Sequence, residues 1–512
     1  MKKFTPVFIL SVIVTTLFIL WGLIPESVLP NGNLATVTTA IQGFIIEKFG
    51  WFYLLSATFF LIFSVGLIFS RYGNIKLGKD DDEPQYSYLT WFAMLFSAGM
   101  GIGLVFWGVS EPLFHYSSPP TGDGLTDQAA RNALRYSFFH WGFHPWAIYS
   151  VIALSLAYFT FRKEQNGVIS NILRPILGDR VDGKTGVLIN FVAVFATVFG
   201  VATSLGFGAA QISAGISYLF DGVENNFTTQ LIIILVVTVL FMLSAQTGLN
   251  KGIKYLSNLN VILAISLMLF LLFAGPTNFI MDFFTTTLGS YLQNLPSMSF
   301  KMMPFEQDNT WIQDWTIFYW AWWISWAPFV GTFIARISRG RTIREFTIGV
   351  LAVPTVFGAL WFSVFGGSAI FLDHVQGISL VDIVNEQGTE VALFAMLEQF
   401  PFGTVMSILA ILLISSFFIT SADSATFVLG MQTTNGMLNP PGSIKFIWGI
   451  IQSSAAAILL WAGGLAALQT ASIIAALPFA IIMILMAFSL LKSLREEKVI
   501  KYKGVAKEST KE

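Results

Sequence analysis

Cysteine is absent from this chain, and charged residues are scarce. A chain of 512 residues without cysteine has no disulfides, zinc–thiolate sites or thiol nucleophiles. Only 11% of the residues are charged, less than half of the roughly 25% found in soluble domains. The four histidines are scattered, so no nucleophile–base pair or set of metal ligands is expected to converge. We therefore expect neither a soluble globular protein nor an enzyme.

Long hydrophobic runs dominate the sequence instead. Hydrophobic residues make up 55% of the chain, and the mean hydropathy is +0.70. Apolar windows of about 20 residues predict an all-α polytopic membrane protein with twelve transmembrane helices. The predicted spans are 6–24, 50–70, 89–112, 137–160, 187–219, 228–246, 253–275, 312–337, 346–371, 403–430, 444–462 and 468–491. The first run lacks a small-residue cleavage site and is long enough to span, so we interpret it as a helix.

The basic residues predict which side each loop faces. With the N-terminus in the cytoplasm, only four of the 28 lysines and arginines fall in outer loops. These are Lys48, Arg131, Arg135 and Lys301. Because cytoplasmic loops carry the excess of positive charge, this bias predicts an even number of spans and two cytoplasmic termini. The acidic outer loops are interpreted as solvated surface.

Span eight contains the densest aromatic block. Four tryptophans lie within seven positions. They are Trp320, Trp322, Trp323 and Trp326. The last three share an arc of about 100° on one helix face. Pro328 and Gly331 follow at once, which predicts a break where the backbone lines a cavity. The π faces suit a cation without N–H donors, although a bulky helix-packing seam explains the block equally well.

Span three is interrupted by alternating glycines. Gly99, Gly101 and Gly103 either let the helix unwind, which frees backbone amides and carbonyls, or allow close helix packing. Interrupted helices in spans three and eight, five spans apart, indicate an inverted repeat with a site near the midplane. We predict two peripheral helices, a first five-helix repeat, an outer interfacial connecting helix, a second five-helix repeat and a short charged cytoplasmic tail. The bounds of these units are 1–88, 89–275, 276–311, 312–491 and 492–512.

Span four supplies a second aromatic face. Trp141, Trp146 and Tyr149 fall within about 140° of the helix circumference. His140 and His144 have the i, i+4 spacing of a metal-binding pair. No carboxylate or further histidine is expected near them, so a structural or interfacial role is predicted.

Span ten offers two adjacent hydroxyls, Thr420 and Ser421, on the same face as Phe417. Such hydroxyls either bond back to the preceding turn or supply oxygens to a bare cation, completed by carbonyls of the unwound glycine stretch. Asp423, in the same span, is an ionisable residue at membrane depth and counts as functional by default. Arg336, at the cytoplasmic end of span eight, is its expected partner.

Together these motifs resemble the betaine/choline/carnitine transporters over nearly the whole chain. The similarity rests on the glycine run 99–103, the block 320–328, the aromatic residues of span four and the segment 420–424. The resemblance implies a leucine-transporter-type 5+5 inverted repeat preceded by two peripheral helices, and a homotrimer in a lipid membrane. It also implies alternating access driven by sodium or, in some members, by protons or substrate exchange. No nucleic acid and no cofactor beyond the coupling ion is implied.

The resemblance further implies a substrate site. It places a trimethylammonium group in an aromatic box, beside the backbone of span three. The box residues are Trp141, Trp146, Tyr149, Trp323 and Trp326, with Trp322 close to the pathway. The remaining substrate-binding residues are Ala98, Gly99, Gly101, Gly103 and Ser421. Phe318 and Phe329, together with Trp326, are expected to shape the gates.

A sodium site is implied in the same way. Its ligands are the carbonyls of Ser97, Met100 and Phe417 and the hydroxyls of Thr420 and Ser421. Thr203 is the best match for a second sodium site.

Gly103 bears on the choice of substrate. Choline-accepting members tend to have an acidic residue at this position, and its absence favours a substrate with its own carboxylate. The predicted function is therefore sodium-coupled uptake of glycine betaine or a similar quaternary-ammonium osmoprotectant. Proton-coupled choline transport and carnitine/betaine exchange are the alternatives within the family. A channel would need a continuous polar pore lining, which these spans do not show.

Overall fold

The computed structural model describes residues 4–99, 101–247, 250–306 and 309–497, and most of these residues lie in helices. No β-strand forms within these ranges. Seven of their helices are long and apolar enough to cross a membrane. The seven are Leu34–Phe69, Lys184–Leu219, Phe227–Ala245, Tyr255–Ala274, Ile343–Val375, Gly403–Thr433 and Gly442–Arg495. The predicted all-α, polytopic class is confirmed, whereas the number of twelve spans and the inverted repeat stay predictions.

Helices α1 to α11 form the first part of the chain. Their bounds are α1 Pro6–Gly22, α2 Leu34–Phe69, α3 Tyr88–Gly99, α4 Ile102–Ser117, α5 Asp127–Trp141, α6 Phe143–Ala157, α7 Ile169–Ile172, α8 Arg174–Leu177, α9 Lys184–Leu219, α10 Phe227–Thr247 and α11 Asn250–Ala274. Helix α2 begins well before the predicted span 50–70. Its start is fixed by Asn33, whose side chain accepts a hydrogen bond from the Thr36 amide at 2.9 Å. The predicted span is therefore the second half of a longer helix.

Helices α12 to α18 form the rest. Their bounds are α12 Thr277–Ser299, α13 Phe318–Ile337, α14 Ile343–Ile370, α15 Leu380–Gln387, α16 Ala392–Leu397, α17 Gly403–Thr433 and α18 Gly442–Arg495. Helix α12 lies within the predicted connecting segment 276–311. Helix α18 contains both of the last predicted spans and is kinked between them at Gly463 and Gly464. Gly464 has a φ of 61°, in the left-handed region that glycine adopts without strain.

Span three is interrupted where the glycine run predicts it. Helix α3 ends at Gly99 and α4 begins at Ile102, and the backbone of Gly101 between them is extended, with φ −147° and ψ −163°. The first turn of α4 has no side-chain cap, so its leading amides are left to other partners. Met100 lies outside the described residues, and so do the side chains of 96–99.

Span eight is continuous, and the predicted break at Pro328 and Gly331 is wrong. Helix α13 runs through both residues. The Thr332 hydroxyl donates to the Pro328 carbonyl at 2.7 Å, and the surrounding helices bury this turn. Gly331 serves packing instead, because a Cβ there would lie 2.5 Å from Cγ2 of Ile152 on α6.

The second broken helix is span four. Helix α5 ends at Trp141 and α6 begins at Phe143, with Gly142 between them at φ −96° and ψ −130°. A Cβ on Gly142 would lie 2.5 Å from the carbonyl oxygen of Phe138, so glycine is required by space alone. The Tyr291 hydroxyl accepts a hydrogen bond from the Phe143 amide at 3.1 Å and satisfies the start of α6. Because α4 packs against α5, the two interruptions belong to neighbouring helices.

The loops predicted to be cytoplasmic meet at one end of span four. Arg162 donates to Asp80 and to Glu497, each at 2.8 Å, and Lys163 pairs with Glu497 at 2.8 Å. Burial alone would raise the pKa of Glu497, but hydrogen bonds from Arg162, Lys163 and Tyr158 outweigh it and lower the pKa to about 2. The end of α18 is thereby tied to the loops that follow spans two and four.

The loops predicted to lie outside meet at the other end of span four. The His374 ring lies 2.8 Å from the Tyr116 hydroxyl and 2.7 Å from the Asp127 carboxylate, which joins the loops after spans three and nine. Asn225 donates to Glu390 at 3.0 Å and joins the loops after spans five and nine. Loops that were predicted to lie on the same side of the membrane are thus in contact. This agrees with the predicted alternation, in which loops after even-numbered spans are cytoplasmic and loops after odd-numbered spans are outside.

Candidate functional site

Four aromatic rings from α5, α6 and α13 surround one small cavity. The ring centroids of Trp141 and Trp323 are 4.8 Å apart, those of Tyr149 and Trp323 6.1 Å, and those of Trp146 and Tyr149 5.6 Å. The rest of the lining is Leu104, Pro145 and Gly358. None of the lining residues is charged. We call this cavity the aromatic box.

The aromatic box is closed in this structure. Its cavity measures about 10 Å³, close to the room that one water needs. Trp323 is held in place by stacking on Trp322 at 4.9 Å and on Tyr319 at 5.9 Å, and its Nε1 donates to the His140 carbonyl at 2.9 Å. A group of several heavy atoms enters only when these rings separate.

Trp326 lies apart from the other predicted box residues. Its ring contacts Phe329, with centroids 5.4 Å apart, and its Cη2 would lie 3.7 Å from a Cβ at Gly101. The structure therefore brings together four of the five predicted rings. The fifth indole faces the break in span three.

Gly103 makes room for two of the indoles. A Cβ at this position would lie 2.5 Å from Cη2 of Trp322 and 3.2 Å from Cη2 of Trp141. The missing side chain is what lets the rings approach the backbone of α4. An acidic side chain here would displace Trp322, so the absence of an acid has a steric reason as well as an electrostatic one.

Three buried hydrogen-bond donors beside this site have no partner among the described residues. They are the Tyr149 hydroxyl and the Nε1 atoms of Trp322 and Trp326. Buried polar groups are nearly always hydrogen-bonded to protein or water. These three atoms therefore mark where a polar ligand or ordered water is expected.

The predicted gate residues lie at the ends of the tryptophan block. Phe318 stacks on Trp322 with ring centroids 5.7 Å apart and planes inclined by 12°, and it also contacts Phe207 of α9 at 6.5 Å. Phe329 contacts only Trp326 among the rings of this region that the structure describes. Both rings are buried, so neither leaves an open path in this conformation.

The predicted sodium ligands of span ten lie on α17. The Thr420 hydroxyl donates to the Ser416 carbonyl at 3.0 Å and accepts from the Asn260 amide at 3.0 Å. Ser421 is half-buried and makes no hydrogen bond to the described residues. The Oδ1 atom of Asn260 is buried without a partner in the same part of the chain. Sequence reasoning missed Asn260, because one amide on a hydrophobic helix gives no signal.

The other predicted sodium ligands are described less fully. Phe417 is buried on α17, Ser97 lies in α3, and Met100 is outside the described residues. A Cβ at Gly208 of α9 would lie 2.9 Å from Ile102 and 3.3 Å from Phe418. The start of α4 is therefore close to the part of α17 that carries Phe417.

Thr203, the candidate for a second sodium site, joins α9 to α18. Its hydroxyl lies 2.8 Å from the carbonyl oxygens of Phe199 and Leu468 and 2.9 Å from the hydroxyl of Ser472. These contacts are sufficient to explain a threonine here. Its role as an ion ligand stays a prediction.

The expected pair of Asp423 with Arg336 is wrong. The Asp423 carboxylate accepts a hydrogen bond from the Ser244 hydroxyl at 2.7 Å. The Arg336 guanidinium lies over the ring of Phe427, 5.3 Å from its centroid. The two residues are on neighbouring helices but face different partners, which their positions in the sequence could not indicate.

A buried glutamate, Glu111, was missed by the sequence analysis. One carboxylate oxygen lies 3.0 Å from Nε2 of His115 and 2.8 Å from Nδ1 of His140. The other accepts from Nε1 of Trp141 at 2.8 Å and from the Tyr319 hydroxyl at 2.5 Å. All five side chains are buried. We call this arrangement the Glu111 network.

The Glu111 network corrects two expectations. His140 has a carboxylate and a second histidine beside it, and its true neighbour is His115 rather than His144. Histidines that were expected to stay apart therefore do converge. The sequence could not predict this cluster, because its members are far apart along the chain. Glu111 and His140 are on different helices, 29 positions apart, and Tyr319 is 208 positions from Glu111. The three helices α4, α5 and α13 meet at this carboxylate.

Comparison with known proteins places these observations in a family. The sequence from residue 6 to residue 499 matches the betaine/carnitine/choline family transporter model. The chain is 55% identical over 500 residues to the glycine betaine transporter OpuD of Bacillus subtilis, covering 97% of this chain and 96% of that protein. It is 45% identical to a probable glycine betaine transporter of Desulfitobacterium hafniense, covering 97% and 98%.

A third relative is named for a different solute. The ectoine/hydroxyectoine transporter of Virgibacillus pantothenticus is 44% identical over 492 residues, covering 96% of each chain. All three comparisons extend over the helices that form the aromatic box and the Glu111 network. The chain therefore belongs to the betaine/carnitine/choline family of membrane transporters and is not an enzyme.

Proposed function

We propose that this protein takes up glycine betaine, or a similar quaternary-ammonium compatible solute, together with sodium by alternating access. The observation that carries the proposal is the uncharged aromatic box of Trp141, Trp146, Tyr149 and Trp323. The names of two of the relatives, a glycine betaine transporter and a probable glycine betaine transporter, support the same substrate.

The aromatic box suits a trimethylammonium group for a specific physical reason. Such a group has no N–H, so hydrogen-bonding side chains around it would be left without partners. Aromatic faces attract the positive charge without that penalty, and each desolvated contact contributes about 2 kcal/mol. Four imperfectly additive contacts, less the entropy lost on binding, allow micromolar affinity, about −8 kcal/mol.

The small volume of the aromatic box means that the protein must change conformation before a substrate can bind, as alternating access requires. A cavity of about 10 Å³ has no room for a trimethylammonium group. Substrate entry then requires the rings of α5 and α6 to separate from Trp323 of α13, and this separation costs contacts such as the 4.8 Å pair of Trp141 and Trp323. Binding energy that is released only in the open-ring state can drive such a population shift.

The substrate carboxylate is expected beside the break in span three. The Trp326 ring lies beside Gly101 through its Cη2 atom, and its buried Nε1 has no partner among the described residues. The uncapped first turn of α4 offers further N–H donors with a favourable helix dipole. Trp326 would then act as a donor to the carboxylate rather than as a fifth wall of the box. This explains why it lies apart from the other four rings.

Sodium coupling is proposed from the oxygens around α17. Thr420 and Ser421 offer two hydroxyl oxygens on α17, and Asn260, which donates to Thr420, offers its buried Oδ1 as a third hard oxygen. Oxygen ligands of this kind suit a hard cation. At 100 mV, each inward sodium supplies about 2.3 kcal/mol beyond its concentration gradient.

The wider architecture follows from the family resemblance. We infer two peripheral helices and an inverted repeat of spans 3–7 and 8–12, assembled as a homotrimer in a bacterial inner membrane. The repeat was first inferred from interrupted helices in both span three and span eight. Because α13 in span eight is continuous, the repeat is now inferred from the family resemblance alone.

Uptake by purified protein in proteoliposomes tests the proposal directly. Labelled glycine betaine is expected to accumulate only with an inward sodium gradient, and excess unlabelled betaine should abolish the signal. Choline, carnitine, ectoine and proline serve as competitors. Uptake driven by a pH gradient, or betaine exchange without sodium, would replace sodium symport by one of the two alternatives.

A further inference from the structure

The Glu111 network contains a buried carboxylate, which the packing of a hydrophobic core does not require. Its carboxylate is fully buried, and no lysine or arginine lies within ion-pair distance among the described residues. An unpaired buried charge is costly. It persists here because four N–H and O–H groups converge on the two oxygens.

The same contacts speak against a resident metal ion. A carboxylate has about four acceptor positions, and His115, His140, Trp141 and Tyr319 already occupy them. His140 also uses its second ring nitrogen, 2.9 Å from the Thr316 hydroxyl. The four groups are directed at the carboxylate, so its oxygens are satisfied without an ion. Among the described residues of the network, only the second ring nitrogen of His115, Nδ1, has no hydrogen-bond partner.

The network is joined directly to the aromatic box. Trp141 donates to Glu111 with its Nε1, while its ring meets Trp323 at 4.8 Å. Tyr319 donates to the same oxygen, and its ring stacks on Trp323 at 5.9 Å. His140 contributes its carbonyl to Nε1 of Trp323. Two rings of the box are therefore oriented by groups bonded to Glu111.

We propose that Glu111 is a positioning and specificity residue for the aromatic box. Its carboxylate fixes the orientation of the Trp141 indole and the Tyr319 ring. Its negative charge lies behind the Trp141 indole that forms one wall of the box, and it favours the positively charged end of a substrate. The proposal depends on the box being the cation site, as argued under the proposed function. It adds a charge to a cavity whose own lining has none.

The negative charge of Glu111 makes the site distinguish a cation from a zwitterion, which the orientation of the rings alone would not do. A zwitterion places its own carboxylate in the same field, so attraction of one end is partly cancelled by repulsion of the other. A pure cation gains the full attraction. A unit charge at roughly 8 Å in an effective dielectric of about 20 changes a binding constant by on the order of tenfold or more.

The experiment uses Glu111→Gln in proteoliposomes. The KM of glycine betaine is compared with the inhibition constant of its methyl ester, which has the same trimethylammonium group but is a cation. We expect the inhibition constant of the ester to rise about tenfold and the KM of betaine by only two- to threefold. Thr316→Val disturbs the network without removing the charge, so it should change both constants by the same factor. Glu47→Gln, at an exposed position, should change neither.

A second measurement does not need transport. Protein labelled with 5-fluorotryptophan gives a ¹⁹F resonance for Trp141, assigned by its loss in Trp141→Phe. Glu111→Gln should shift this resonance, because the indole N–H loses its charged acceptor. If Glu111→Gln raised the inhibition constant of the ester and the KM of betaine by the same factor, the charge would have no role in specificity. An unshifted Trp141 resonance would overturn the positioning role. Wild-type protein that takes up no betaine would instead defeat the proposed function and leave the ¹⁹F test standing.

Discussion

At the scale of single residues, the site depends on missing side chains as much as on large ones. Gly103 and Gly142 lie where any Cβ would strike a neighbour, an indole in one case and a carbonyl in the other. The sequence suggested that glycines matter in span three, but it could not show what approaches them. Gly142 passed unnoticed because a single glycine between aromatic residues has no periodic pattern.

Gly103→Ala is expected to weaken betaine uptake strongly. The added Cβ would lie 2.5 Å from Cη2 of Trp322, and the rigid indole can move only by disturbing its stack with Trp323. Overpacking of this kind costs about 1–3 kcal/mol, which corresponds to a rise in KM of roughly 5- to 150-fold. The matched control is Gly66→Ala in α2, where nothing lies within 4 Å of the new Cβ. Equal KM values for the two variants would contradict the close approach.

Trp323→Ala should abolish betaine uptake while membrane insertion is retained. Trp323 is the ring that both Trp141 and Tyr149 contact, so its loss opens two walls of the aromatic box at once. About 2 kcal/mol of cation–π energy and the box geometry are lost together. Trp461→Ala removes an exposed indole and is the control, with uptake expected to stay within about twofold of wild type. Normal uptake by Trp323→Ala would remove the box assignment.

At the scale of elements, apolar windows found the helices but not their interruptions. Each predicted span overlaps a helix, because length and hydropathy are properties of the local sequence. The break at Pro328 was wrong, since whether a proline interrupts a membrane helix depends on which neighbours cover the freed carbonyl. The Glu111 network could not be predicted, because its members come from three helices that only tertiary packing brings together.

Gly331→Ala should push α13 away from α6 and so lower uptake. A Cβ at this position would lie 2.5 Å from Cγ2 of Ile152, in the interface that also holds the box rings together. A thermal-unfolding assay in detergent should show a loss of stability of about 1–3 kcal/mol. The double variant Gly331→Ala with Ile152→Ala restores the space and is expected to recover most of the uptake. No recovery in the double variant would mean that Gly331 acts through something other than this contact.

Removal of the two hydroxyls on α17 tests the ion site. Thr420→Ala combined with Ser421→Ala should raise the sodium concentration for half-maximal uptake by on the order of tenfold, since each lost oxygen ligand weakens a hard-cation site. Asn260→Leu should act in the same direction through the loss of its unpartnered Oδ1. Thr404→Ala, at the exposed start of the same helix, is the control. An unchanged sodium dependence in the double variant would remove the proposed site.

At the scale of the whole molecule, the contacts between loops support the charge-based topology. Asp80, Arg162 and Glu497 come from three segments assigned to the cytoplasm, and they meet. Asp127 and His374 come from two segments assigned to the outside, and they also meet. Contacts of this kind fix which loops share a side of the membrane. They do not say which side is the cytoplasm, and the orientation depends on the basic residues alone.

The absence of cysteine makes that orientation directly measurable. Asp179→Cys and Asp127→Cys each introduce one thiol into a background with none, at positions whose side chains are 103% and 78% exposed. In intact cells, a membrane-impermeant maleimide is expected to label Asp127→Cys and to leave Asp179→Cys unlabelled. After the membrane is permeabilised, both should react, which shows that each thiol is accessible. Labelling of Asp179→Cys in intact cells would invert the topology, and with it the assignment of α4 and α17 to a pathway that takes up solute with sodium.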